Sequence, residues 1–169
     1  WPAADFNGTL MVVDFETRDT FTRPLADAAS GLTPNQIASL SSSNPLSHQS
    51  GERLVCIGGY GVDDQGDYVT FSTLRVLDVA GVIDWVRGDR TQLTDHIRFH
   101  EAPKGAPPDF FTICGGVLIE NGDEFWSCLG QNFQGGYVDL SVCPSIGTSQ
   151  VYTKSIRRFE LDAANPDAA

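Results

Sequence analysis

The sequence predicts a mainly β chain: a small β-barrel or β-sandwich, with a β-trefoil as the alternative, and one or two short helices in its N-terminal third. Three observations carry this reading. From residue 53 onward, short segments rich in β-branched and aromatic residues recur, as strands do. Glycine-containing turns separate them, and Asn121-Gly122 is the strongest two-residue hairpin signal in the chain. The chain has 169 residues, 41% of them hydrophobic, with ten Phe, three Trp and four Tyr, which suits one domain with a sizeable core. We expect a single disulfide-stapled β domain over residues 1–161 and a frayed Ala/Pro/Asp tail over 162–169.

Residues 8 to 16 open the chain as a buried strand of β-branched and apolar residues. Residues 24–29 fit a short helix, and 33–40 a second one. Thr33 can cap its open amides, and Pro34 takes the first helical position, where a missing N–H costs nothing. A polar loop then leads to Gly51. Residues 53–57 read as a strand stopped by Gly58-Gly59, and 63–67 as a turn. The alternating stretch 68–77 reads as one long strand, and 79–86 and 97–100 as weaker ones. Three prolines bar the 103–108 loop from a central strand. Strands are expected at 110–114, 116–120, 125–129 and 137–143, and 151–161 as a last strand or short helix.

Four cysteines, an even number with no C-x-x-C pair, read as two disulfides and not as a zinc site. That implies an oxidising, extracellular setting. Of the three pairings available we expect Cys128–Cys143, which closes one strand-turn-strand unit and contributes about 3 kcal/mol in the chain-entropy model. Cys56–Cys114 then ties the first half of the domain to the second. Asn7-Gly8-Thr9 is a sequon, so Asn7 is a candidate glycosylation site. The start at Trp1 reads as a processed product.

The balance of 22 acidic against 11 basic residues, net −11, disfavours nucleic acid and anionic membrane surfaces, which recruit Lys and Arg. No apolar run approaches the twenty residues that span a bilayer. Neutral carbohydrate would not be repelled.

The chemistry-bearing residues are few. Asp95, His96, His100 and Glu101 form one local cluster. On an extended strand His96, Arg98 and His100 would share a face. The intervening guanidinium argues against a shared metal ion, so no metal and no cofactor is expected, and His96, His100 and Glu101 stand as weak catalytic candidates. Asp14, Glu16, Asp84, Glu124 and Asp139 could each sit near strand ends and supply a glycosidase pair, but 22 acidic residues yield such pairs by chance. No G-x-S-x-G elbow and no phosphate-binding glycine motif is present. Trp85, Trp126 and Tyr137 are the leading members of an aromatic platform for sugar rings. Packing in the core is the commoner fate of any one of them.

Residues 54–146 carry an order-preserving likeness. The phrases Phe111-Thr112-Ile113-Cys114, Gly116-Val117-Leu118-Ile119 and Asp123 to Phe133, with Gly81-Val82-Ile83-Asp84 and the stretch 96–103 upstream, are those concerned. Together they resemble the C-terminal domain of fungal PIR-type cell-wall mannoproteins. The tandem repeats that link that family to glucan are absent from this chain. The resemblance implies a secreted fungal cell-wall or extracellular-matrix structural protein; without the repeats, association with wall polysaccharide would be non-covalent or through disulfide exchange. Two alternatives remain open: an enzyme acting on a sugar or small molecule in a β-scaffold pocket, and a secreted effector or lectin-like binding module.

Overall fold

A computed structural model describes residues 7–136 and 148–161. The chain runs β1 (Thr9–Val13), β2 (Thr20–Pro24), α1 (Pro34–Leu40), β3 (Leu46–Ser50), β4 (Arg53–Ile57), β5 (Tyr60–Val62) and β6 (Tyr68–Thr70). It continues through β7 (Leu74–Asp78), α2 (Val79–Val86), β8 (Ile97–His100), β9 (Cys114–Asn121), β10 (Glu124–Gln134), β11 (Ser149–Tyr152) and β12 (Arg157–Glu160). Single 3-10 turns lie at Ala28–Ser30 and Leu93–Asp95. The mainly β expectation holds, and among the described residues the strands close no barrel.

Two four-stranded sheets form the body. One has the order β3-β4-β7-β8, all antiparallel. In the other, β10 is the hub: β9 pairs with it along the Asn121-Gly122 hairpin, and β11 and β12 pair with separate stretches of its length. Alternation along the strands sorts side chains between two clusters. Val55, Ile57 and Leu74 meet Phe111, Leu118, Phe125 and Phe159, so both sheets share this core. On the other side of β4 and β7, Leu54, Cys56 and Leu77 face Trp85, Val86, Leu93 and Leu25, with the β1–β2 ribbon packed over them.

The local chemistry of α1 is as the sequence indicates. Thr33 accepts from the Gln36 amide at 3.3 Å, and the Gln36 side chain accepts from the Thr33 amide at 2.9 Å, a reciprocal cap. Arg75, 2% exposed, reaches across from β7 and anchors the end of this helix. It donates to the Ser39 carbonyl, to the Ser42 hydroxyl and to the Gly58 carbonyl. Burial holds its pKa below the ordinary guanidinium value. Gly58, at φ 62°, is where the chain passes the backbone of Ile113; a Cβ there would stand 1.9 Å from the Ile113 carbonyl oxygen.

Several expectations need correction. Residues 79–86 form helix α2, because Gly81, Trp85 and Val86 recur at helical spacing and are buried on one side. The helix expected at 24–29 is the end of β2 and a 3-10 turn capped by Asp27, whose carboxylate accepts from the Ala29 amide. The polar loop before Gly51 contains β3, held by its ladder to β4. The long strand at 68–77 breaks at residues 71–73, and 110–113 is irregular. Residues 149–161 supply two strands, not one. The strand expected at 137–143 and the tail at 162–169 lie outside the described residues.

The Cys56–Cys114 bridge is not formed. Both thiols are free, as is that of Cys128. Cys56 points from β4 into the cluster around Trp85, whereas Cys114 packs with Tyr60 and Phe133, its sulfur 3.9 Å from the Thr70 hydroxyl. The two thus occupy different cores. Burial raises the pKa of both thiols. Cys143, the expected partner of Cys128, lies outside the described residues.

Candidate functional site

The junction between the end of β7, the start of α2 and the start of β8 gathers most of the converging polar chemistry. β7 ends at Asp78, whose amide donates to the His96 carbonyl at 2.9 Å. The next amide, of Val79, donates to the Glu52 carbonyl at 2.7 Å, which draws the turn before β4 to the same place. The result is an open cleft of about 560 Å³. Glu52, Asp78, Asp95, His96 and Arg98 supply its polar lining, and apolar Val76 and Leu77 of β7 lie among them.

His96 is held on both ring nitrogens. Nδ1 lies 3.3 Å from an Asp78 carboxylate oxygen, and Nε2 lies 3.1 Å from the Thr91 hydroxyl. Gly81, in the first turn of α2, makes room for the ring: a Cβ there would stand 1.9 Å from Nδ1 and 2.6 Å from Cε1. Arg98 is fixed by bonds from Nη1 to the Thr94 and Asp95 carbonyls, at 2.9 and 3.3 Å. Arg53 at the cleft edge is paired with Glu120, which also lies 3.2 Å from His48.

The structure separates the two histidines of the sequence cluster. His96 precedes β8, ending the 3-10 turn that Gln92 and Asp95 cap. His100 is buried and lines a smaller depression of about 270 Å³ with Ser39, Thr73 and Glu101. The expected shared strand face survives only for Arg98 and His100, which lie opposite Val76 and Leu74. Among the described residues, no group of three or more His, Cys, Asp or Glu side chains gathers as metal ligands would.

The aromatic platform comes apart as well. Trp85 is fully buried at the centre of its cluster, with the Arg23 guanidinium 4.0 Å above its ring, so no sugar can reach it. Trp126 is half-buried on the outer face of β10, in register with Ile119 and Arg158, while Phe125 beside it points into the core. Tyr137 lies outside the described residues, as does Asp139. Of the other carboxylates weighed as an acid–base pair, Asp14 is paired with Arg87 and Glu124 with Arg158. Neither of them, nor Glu16 or Asp84, lines the cleft.

Sequence reasoning found His96 and Asp95 but missed Asp78, Thr91 and Glu52. The Gln92–Asp95 cap was a readable sign that His96 ends a turn. Asp78 and Glu52 reach the site only through the pairing of β7 with β4 and β8, which leaves no local trace.

No family model matches the chain, and no curated protein matches it. Among the described residues, no helix is long and apolar enough to cross a membrane.

Proposed function

We propose that this protein is an extracellular wall or matrix component that binds a neutral, hydroxyl-rich polysaccharide through the cleft between β7, α2 and β8. The observation that carries the reading is the lining of that cleft: carboxylates of Glu52, Asp78 and Asp95 with the Arg98 guanidinium, set around Val76 and Leu77. Carboxylate and guanidinium groups offer fixed acceptors and donors to sugar hydroxyls, and partly exposed Val76 offers an apolar contact to the C–H face of a ring. The net charge of −11 leaves a neutral polymer unopposed and repels anionic ones.

The likeness of residues 54–146 to the PIR-type mannoprotein domain supports the fungal wall setting. Exposed Asn7 supports a secreted glycoprotein: its sequon lies on the surface, and its side-chain oxygen accepts from the Thr9 amide at 3.3 Å. Support for secretion rests on these two features, since Cys56, Cys114 and Cys128 are free. We read the two four-stranded sheets with their common core as the sandwich form of the expected architecture.

Co-sedimentation with insoluble β-glucan and chitin, run beside a glycan array, tests the proposal. Retention on a neutral polysaccharide, weakened by Asp95→Asn together with Arg98→Gln, supports it. Absence of retention on every neutral glycan removes it.

A further inference from the structure

The contacts of His96 go further than binding requires. We propose that Thr91, His96 and Asp78 form a hydroxyl–imidazole–carboxylate relay that attacks carboxylic esters, with O-acyl groups on the hydroxyl-rich ligand of the cleft as the substrate class; His96 and Asp78 line that cleft, and Thr91 stands beside it, bonded to the His96 ring. The inference rests on that cleft being a ligand site.

Three observations carry it. First, the ring joins two groups on its opposite sides: Thr91 Oγ1 at 3.1 Å from Nε2 and Asp78 Oδ2 at 3.3 Å from Nδ1. A carboxylate only accepts, so with neutral imidazole the proton sits on Nδ1, and Nε2 is left to accept from the Thr91 hydroxyl. This is the arrangement that a general base needs beside a nucleophilic hydroxyl. Second, Asp78 occupies the N-cap position of α2 yet makes no side-chain cap. A capping Asp stabilises a helix, and here its carboxylate is turned to the imidazole instead. Third, the turn that carries Thr91 closes without it. The Asp95 side chain accepts from the Gln92 amide at 3.0 Å, and the His96 amide donates to the Leu93 carbonyl at 3.0 Å. The Thr91–His96 bond is an addition to this turn, not its closure.

The chemistry runs in two steps. Thr91 Oγ attacks the ester carbonyl carbon while its proton passes to His96 Nε2; the C–O bond to the alcohol breaks, and the alcohol leaves with that proton. Water then attacks the Thr91 ester, giving up a proton to Nε2, and the carboxylic acid departs as the Thr91 hydroxyl is restored. Asp78 is a positioning residue that fixes the ring and offsets its positive charge.

The test uses the full chain and p-nitrophenyl acetate, with p-nitrophenolate release followed optically and the acetyl adduct mapped by peptide mass spectrometry. The relay predicts an adduct on Thr91. It predicts a loss of release of about a hundredfold in Thr91→Val and in His96→Asn, within the range for removing general-base catalysis. Thr91→Ser, which keeps the hydroxyl, retains the adduct. Asp78→Asn lowers the rate and shifts its pH profile, as a purely structural carboxylate would not, and Asp78→Glu restores part of it. An unlabelled Thr91 in the wild type, or a Thr91→Val protein as active as wild type, overturns the proposal. Polysaccharide retention without Thr91 acetylation leaves the binding reading intact and removes only the relay; loss of both removes the site.

Discussion

The imidazole of His96 lies directly over the α-carbon of Gly81, so closely that a Cβ at that position would stand 1.9 Å from Nδ1. The ring is also held by Asp78 and Thr91, so it has no free direction in which to give way. One glycine in the first turn of α2 therefore decides whether the cleft keeps its shape.

Gly81→Ala is accordingly destabilising, although alanine is the better helix former by up to about 1 kcal/mol. Forcing a methyl group into an occupied position costs about 1–3 kcal/mol, so the clash wins. Urea unfolding of the variant should show a lower midpoint than wild type. A raised midpoint would mean that the ring is not seated on Gly81.

The two tryptophans should behave as opposites. Trp85→Ala removes a side chain at the centre of its core cluster and should cost about 3–5 kcal/mol. Trp126→Ala, on the outer face of β10, should cost less than half as much. Thermal or urea denaturation of the pair gives the answer; equal losses would contradict the burial assigned to Trp85.

Asp14 links the β1–β2 ribbon to α2. Its carboxylate accepts from the Thr17 and Glu16 amides and pairs with Arg87 at 2.5 Å, and these bonds, the backbone ones foremost, lower its pKa below the usual carboxylate range. A lowered folded-state pKa contributes stability above the unfolded value of about 4 that disappears as pH falls through the folded one. The stability advantage of wild type over Asp14→Asn should thus be constant near neutrality and vanish in acid. An advantage that grows on acidification would reverse the sign and exclude the pairing.

How much of this was readable beforehand follows from the range of each interaction. The Thr33–Gln36 cap of α1 and the Asn121-Gly122 hairpin are settled within a few residues and were legible. Residues 79–86 were not, because Val79, Val82, Ile83, Trp85 and Val86 favour strands locally, and only burial of one side against β1, β2 and β7 makes them helical. β3 was hidden because His48, Gln49 and Ser50 look like loop residues; ladder bonds to β4 and the seating of Leu46 in the core make them a strand. In the site, His96 was visible as a residue, but its partners Asp78 and Thr91 were not. A strand end, a helix start and a turn meet there only once the sheet has formed.

The free thiols give a sharp chemical expectation. Unfolding without reductant, then alkylation, should add label to Cys56 and Cys114. In the folded state both should react slowly, because burial raises their pKa values and keeps the thiolate scarce. Failure of either to label after unfolding would restore a bridge and contradict the separate cores in which the two residues sit.

The most direct test of the cleft as a polysaccharide site is co-sedimentation of wild type and the Asp95→Asn/Arg98→Gln double variant with insoluble β-glucan and chitin. The predicted result is that wild type pellets with at least one of the two polymers, while the folded double variant stays in solution. Equal pelleting of both proteins, or of neither, would contradict the assignment of binding to the cleft.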